Sequence, residues 1–362
     1  MRLTKLQLTN FRSFERAEHE FDPSSGTVIR GDNGRGKSNL LESIFFLAVA
    51  KSGRGSRDGD VVRWGSDHYT IAAEIDREDD HLKIRIAYDQ RSKKKKAFLN
   101  GSPLERLSEL IGHFNAVLFS PEDVDLVLRD PSERRRLLDI LVSQSSTTYL
   151  SDLEQYRRIL SQRNHLLRSQ GHRLLQNASA LLPWDRQLSE IGARIVHARV
   201  AALNRIHGPL EELYHSISPW DECLTAVYRS PCLRDTVEET TQALVAVMET
   251  KRNEETGIGH TLVGPHRDQV VFNLDDRPAH KFGSKGQMKS VLLAWKLSEA
   301  KFLNERTGSK PVLLMDDIFS ELDSKRANAV LNMIGEYGQN ILATARDTDL
   351  DLTERGYEII DL

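Results

Sequence analysis

The chain has two cysteines among its 362 residues, Cys223 and Cys232, and they match neither a Cys-x-x-Cys pair nor a zinc spacing. That excludes a structural zinc site and a disulfide scaffold and leaves two reduced thiols with packing roles. Long apolar runs are also missing. The longest, Ile44 to Ala50, falls far short of the roughly 20 residues that a membrane-spanning helix needs, so a cytoplasmic protein without a membrane partner is expected. Neither charge sign dominates: 50 Lys and Arg face 53 Asp and Glu, a net charge of −3. A global basic field is excluded, and any nucleic-acid contact must come from local patches. Aromatics make up 7% of the chain and do not interleave with the basic runs, which argues against base-stacking readout of single strands. No internal repeat is visible. What is present, 39% hydrophobic and 28% charged residues, suits a globular protein of roughly two to three domains.

The clearest local pattern is Gly31-Asp32-Asn33-Gly34-Arg35-Gly36-Lys37-Ser38-Asn39. A short strand, Thr27 to Arg30, precedes it, and an apolar helix from Ser38 to about Ala50 follows. Strand, glycine loop and helix form the context in which backbone N–H groups cradle phosphates at a helix N-terminus. Lys37 then reaches the β and γ phosphates of ATP, and the Ser38 hydroxyl is a Mg2+ ligand. The matching acidic strand, Val312-Leu-Leu-Met-Asp316-Asp317, comes near the other end of the chain. Asp316 is expected to hold Mg2+, directly or through water, and Asp317 is the candidate base that orients the attacking water. Such a separation implies a large insert.

The insert has two parts. Residues 69–75, 82–88 and 96–99 alternate as meander strands, with a turn at Asn100-Gly101, and residues 1–25 are expected to form edge strands. From Asp130-Pro131-Ser132-Glu133, a helix start, the pattern is helical to about residue 250. Leu153, Leu160, Leu167 and Leu174 recur every seven residues, but Arg157, Asn164 and Gly171 interrupt the seam, so a short antiparallel arm is expected rather than a long coiled coil. Pro219 and Pro231 break the pattern before a further helix at about 236–251. A strand at 270–274, helices at 287–304 and 324–336 and a strand at 340–344 complete the chain.

Ser284-Lys285-Gly286-Gln287 opens the 287–304 helix. This placement is similar to the signature motif of ABC-type ATPases, in which Ser-x-Gly-Gln caps the γ-phosphate held by a partner's glycine loop; Ser284, Gly286 and Gln287 are its counterparts. Further motifs narrow the resemblance: Leu6-Gln-Leu-Thr-Asn-Phe-Arg12-Ser, Ser120-Pro-Glu-Asp123, Pro131-Ser-Glu-Arg-Arg-Arg-Leu-Leu-Asp139, Gly264-Pro-His-Arg-Asp268 and Asp316-Asp-x-Phe-Ser-Glu-Leu-Asp323. In this order they resemble the RecF family of bacterial DNA-repair ATPases, which is itself similar to the heads of SMC proteins. The resemblance implies an α/β fold, an ABC-type P-loop ATPase head with a mixed sheet and flanking helices. The head is expected at 1–125 and 255–362, and an inserted, mainly α-helical arm domain at 126–254. It also implies ATP-dependent homodimerisation on DNA, slow hydrolysis, and action with RecO and RecR in loading RecA. Lys37, Ser284 and Asp317 would carry the chemistry. An ATPase subunit of an ABC transporter is the alternative, and the long helical insert weighs against it. Two positions depart from the ABC pattern. The second acid is aspartate, and Ala345-Arg346 stands where a switch histidine is expected, with Thr344 or Arg346 as substitutes.

For DNA, double-stranded or at a junction and with little sequence preference, the candidates are Arg91-Ser-Lys-Lys-Lys-Lys96 and the arm arginines Arg157, Arg158, Arg163, Arg168 and Arg173. Arg12, Arg57 and the His266-Arg267 turn are read equally well as structural or as contact residues.

Overall fold

The computed structural model describes residues 1–77, 80–120, 123, 130–171, 178–321, 324–344, 352 and 354–362. The chain divides into two compact units, Met1–Leu126 with Gly208–Leu224 and Gly283–Leu362, and Val127–His207 with Thr225–Phe282.

The first unit holds two sheets around one helix. Strands β1 (Arg2–Phe11), β2 (Phe14–Glu20), β4 (His68–Arg77), β5 (Asp80–Asp89), β6 (Lys94–Leu99) and β7 (Ser102–Pro103) form an antiparallel sheet in the order β2-β1-β4-β5-β6-β7. Strands β3 (Thr27–Arg30), β8 (Ala116–Phe119), β12 (Val312–Asp316), β13 (Asn340–Thr344) and β14 (Glu358–Asp361) form a parallel sheet in the order β14-β3-β13-β12-β8. The expected mixed set of strands is thus shared between two sheets. β1 lies inside its sheet rather than at an edge. Its register shifts between Leu3 and Lys5, which explains how Leu3 and Leu6, three residues apart, are both buried.

Helix α1 (Lys37–Val49) touches β8, β12 and β13 of one sheet and β1, β4 and β5 of the other. A helix covered on both sides must be apolar all round, and Leu40, Leu41, Ile44, Phe46, Leu47 and Ala48 are all fully buried. Phe46 meets Phe11 and Tyr69 edge-on at 6.1 and 5.8 Å. This packing fixes the start of α1 and with it the glycine loop.

The second unit is mainly helical: α2 (Pro131–Ser145), α3 (Thr147–Gln170), most of α4 (Leu182–Ile217) and α5 (Val237–Ile258). Asp130 caps α2 by accepting from Ser132 N, with Pro131 in the first turn. Arg194 pairs with Asp152 at 2.6 Å, Gly192 lies against Tyr156, and Arg163 pairs with Asp185 at 2.7 Å. These rungs descend one helix as they climb the other, so α3 and α4 are antiparallel.

On the return side the second unit differs from the sequence-based boundary at 254/255. It continues to Phe282, because β10 (Gln269–Leu274) packs on α2 and receives the buried Arg134, whose Nε donates to Val270 O at 2.7 Å. β10 sits between β11 (Arg277–Pro278) and β9 (Leu224–Arg229), a strand the flanking prolines concealed.

Candidate functional site

The glycine loop joins β3 to α1. Gly36 is the N-cap of α1 at φ 105, and a β-carbon there would lie 2.8 Å from Ser13 Oγ and 2.9 Å from Phe14. Only glycine fits both constraints. Lys37 is nearly buried, and its Nζ donates to Gly31 O at 2.6 Å and Asp32 O at 2.9 Å, which keeps the ammonium at the loop. Asn39 Nδ2 donates to Ser13 Oγ at 3.1 Å, tying the loop's end to the β1–β2 turn.

The acidic strand meets this loop despite 278 residues of separation: Ser38 Oγ donates to Asp316 Oδ1 at 2.9 Å. β12 and β3 both flank β13 in the parallel sheet, so the ends of the two strands open on the same edge. Asp316 is buried, and Arg54 Nη2 approaches its other oxygen at 3.3 Å. A hydroxyl and a carboxylate this close are hard oxygen donors of the kind that share Mg2+ with phosphate oxygens and water. Asp317 stands next in the chain with φ 46, and its N–H donates to Ala343 O at 2.9 Å. Left-handed backbone at a non-glycine residue costs energy that is commonly tolerated where a functional side chain must be aimed.

Sequence reasoning missed Arg54 and the bracket behind it. Arg12 donates twice to Glu42, at 3.1 and 2.9 Å, and also to Ser56 Oγ at 2.8 Å and Asp60 O at 3.2 Å. Ser52 Oγ donates to the same Glu42. Arg12 therefore holds the 52–60 segment that carries Arg54 and is not an exposed arginine; Arg57 is exposed. A lone glutamate inside an otherwise apolar helix was the available signal, since a buried charge requires a partner.

Ser284, Gly286 and Gln287 stand at the start of α6 (Lys285–Thr307). Ser284 Oγ accepts from Gln287 N at 3.2 Å, and Gln287 Oε1 accepts from Ser284 N at 2.7 Å, a complete capping box. Their contacts run to each other and to Glu222 and Trp220, not to Lys37, Ser38 or Asp316. The Ala345-Arg346 position, Pro121, Glu122, Leu322, Asp323, Arg173 and Leu174 lie outside the described residues.

A profile of the RecF/RecN/SMC N terminal domain matches residues 2–361. The DNA replication and repair protein RecF of Lactobacillus delbrueckii subsp. bulgaricus is 36% identical over 355 residues, 97% of this chain and 92% of that protein. The chain belongs to the RecF family. A solved structure of the recombination mediator protein RecF with ATP, of the RecFOR pathway, superposes with a TM-score of 0.87 at 31% identity, covering 97% of this chain and 93% of that one. An SMC head bound to the C-terminal winged-helix domain of ScpA superposes at 0.55 with 18% identity, which speaks for the fold alone. The head is therefore the α/β architecture that RecF shares with SMC heads. No described helix is long and apolar enough to cross a membrane.

Two of the RecF-like motifs prove to be internal wiring. Arg199 of α4 is buried and donates to Asp139 at 2.9 Å, to Tyr228 Oη at 3.0 Å and to Pro265 O at 2.7 Å. Tyr228 Oη donates to Asp268 at 2.7 Å, and Arg135 donates to Asp268 O at 2.8 Å. The Pro131–Asp139 and Gly264–Asp268 motifs are thus two ends of one network.

His266 belongs to the same turn. Its Nε2 must donate to Thr261 O at 3.1 Å, since a carbonyl only accepts, so Nδ1 accepts from Tyr156 Oη at 2.7 Å. Burial pushes the ring down to about 4. The unfolded histidine, near 6.5, binds the extra proton first, so the ring's contribution, up to roughly 3 kcal/mol, is present above about pH 6.5 and is lost as pH falls toward 4. His266→Gln should lose less of its urea midpoint than the wild type between pH 7.5 and 5. Equal losses would show that another group sets the acid sensitivity.

The basic patches are also altered. Lys95 is turned in, donating to Asp58 at 2.6 Å and Ala50 O at 2.9 Å, and Arg91 pairs with Asp67 at 2.7 Å. Lys93, Lys94 and Lys96 remain exposed. Lys94 and Lys96 line a depression of about 350 Å³ on the open face of the antiparallel sheet, together with Phe98. On the arm, Arg163 is fully buried and cannot contact DNA, whereas Arg157, Arg158 and Arg168 are exposed. The arm arginines therefore do not form one face.

Proposed function

We propose that this RecF-family chain is an ATP-dependent DNA-binding protein of recombinational repair and replication-fork maintenance. In this reading ATP and Mg2+ bind at residues 31–39 with Asp316, and Ser284 and Gly286 of a second copy cap the γ-phosphate. Two heads then close on DNA. Slow hydrolysis, with Asp317 orienting water and DNA raising the rate, opens them again. The bound Mg2+ would neutralise phosphate charge. Action with RecO and RecR in loading RecA is part of the same reading, and the ATP-bound relative, a recombination mediator of the RecFOR pathway, supports it. DNA contact is assigned to phosphates met by Lys93, Lys94 and Lys96 and the exposed arm arginines, so binding should weaken steeply as salt rises.

The observation that carries the reading is the Ser38–Asp316 contact, which brings a phosphate loop and an acidic strand to one point from opposite ends of the chain. Asp316→Asn should lower ATP turnover by about 100-fold, and its ATP affinity in Mg2+ should equal that of the wild type in EDTA. A variant whose turnover and Mg2+ dependence match the wild type would refute the assignment of the metal site.

A further inference from the structure

The capping box leaves one end of Gln287 unused, and that end is engaged from outside the helix. Gln287 Nε2 donates to Glu222 Oε1 at 2.6 Å. The other Glu222 oxygen accepts from Tyr214 Oη at 3.0 Å. Burial, with some help from Glu222, pushes the Tyr214 hydroxyl up to about 12, so it remains a donor at ordinary pH. Trp220 covers the neighbouring glycine: a β-carbon on Gly286 would lie 3.3 Å from its ring, and the Arg326 guanidinium sits 4.7 Å from the ring centroid on the same side chain. All of these residues lie in the first compact unit. Residues 208–224, embedded in the insert by sequence, group there with α6.

We propose that Glu222 and Trp220 are positioning residues that hold the Ser284–Gln287 turn in the shape that meets a partner's γ-phosphate. The inference rests on the head-to-head reading above. Gln287 then acts through Ser284. Its carbonyl fixes the Ser284 backbone, its own backbone N–H fixes the Ser284 hydroxyl, and Glu222 fixes the rotamer that makes both bonds possible. A hydrogen bond to a carboxylate is stronger than one between neutral groups, and a second donor on Glu222 prevents it from swinging away. Trp220 prevents the turn from collapsing toward α7 (Ser324–Ile334), which carries Arg326. The 208–224 segment, embedded within the insert by sequence, thereby sets the competence of the signature turn without touching nucleotide.

The test uses the full chain with ATP and Mg2+, titrating protein concentration and following both association and turnover per chain. Glu222→Ala should raise the concentration for half-maximal association and turnover about tenfold, as expected for a lost charge-assisted bond. ATP affinity of the dilute monomer, read with a fluorescent ATP analogue, should stay at the wild-type value. Glu222→Gln keeps an oxygen for Gln287 and should restore association to within about threefold of wild type, the residue of a neutral in place of a charged acceptor. Should Glu222→Ala not fold, Trp220→Leu reads the same quantities. Wild-type association in Glu222→Ala overturns the proposal, and so does an equal loss in monomer ATP affinity, which would mark a structural role only. Ser284→Arg separates the two levels. If it too associates normally, the head-to-head reading has failed; if it alone is defective, only the clamp has failed.

Discussion

Replacing Ser284 by arginine is expected to abolish ATP-driven association while leaving the ATP affinity of a single chain unchanged. The serine caps α6 through Gln287 N, while the described hydrogen bonds of Lys37 and Ser38 run to Gly31, Asp32 and Asp316. Losing the cap costs about 1 kcal/mol, which a chain of 362 residues survives. The larger effect lies between molecules. A helix N-terminus carrying a hydroxyl attracts a γ-phosphate, whereas an arginine side chain at the same point removes the hydroxyl and fills the space that a partner's nucleotide occupies in the proposed dimer. Turnover should fall by about 100-fold or more, the usual consequence of deleting a donor that faces developing charge. Association measured by sedimentation and ATP binding by equilibrium titration give the two readouts. Normal association would mean that Ser284 is an ordinary helix cap.

Arg163→Met should destabilise the helical unit by roughly 3–5 kcal/mol. Arg163 is completely buried, and its Nε donates to Asp185 at 2.7 Å and its Nη1 to Thr261 Oγ1 at 2.8 Å. Its Nη2 lies 2.7 Å from Glu255 Oε2, off the N–H axis, so that contact is an ion pair rather than a hydrogen bond. Arg252 supports Asp185 from the other side at 3.3 Å, and Glu255 Oε1 accepts from Leu262 N at 2.7 Å. Removing the central cation leaves two buried carboxylates, of which Asp185 keeps Arg252 while Glu255 loses its arginine, and that uncompensated charge, rather than the lost bonds, sets the size of the effect. Adding Glu255→Gln to Arg163→Met should recover part of the loss. An unchanged denaturation midpoint in Arg163→Met would contradict this account.

Arg163 also shows where the sequence misleads. It stands in a helix whose leucines recur every seven residues, among other arginines, and reads as one more solvated charge. Only the approach of Asp185, Glu255 and Thr261 from three distant points makes it a core residue. The glycine loop, by contrast, was legible because its chemistry is contiguous: a strand, a φ that only glycine adopts and a helix start, all within a dozen residues. The long helices were legible from their caps and apolar spacing. β8 and β14 were not; each has four residues, and β14 is largely exposed, so neither shows a period-two pattern long enough to see. Arg54, Glu222 and Trp220 were invisible for the same reason as Arg163. Each matters through a neighbour far away in sequence, and one sequence carries no record of such pairs.

The most direct test of the account is sedimentation of the full chain in saturating ATP and Mg2+, alone and with duplex DNA, alongside turnover. A monomer without nucleotide, a dimer with ATP and Mg2+, and turnover that rises when DNA is added are the expected results. A chain that stays monomeric in ATP and Mg2+ and hydrolyses at the same rate with and without DNA would contradict it.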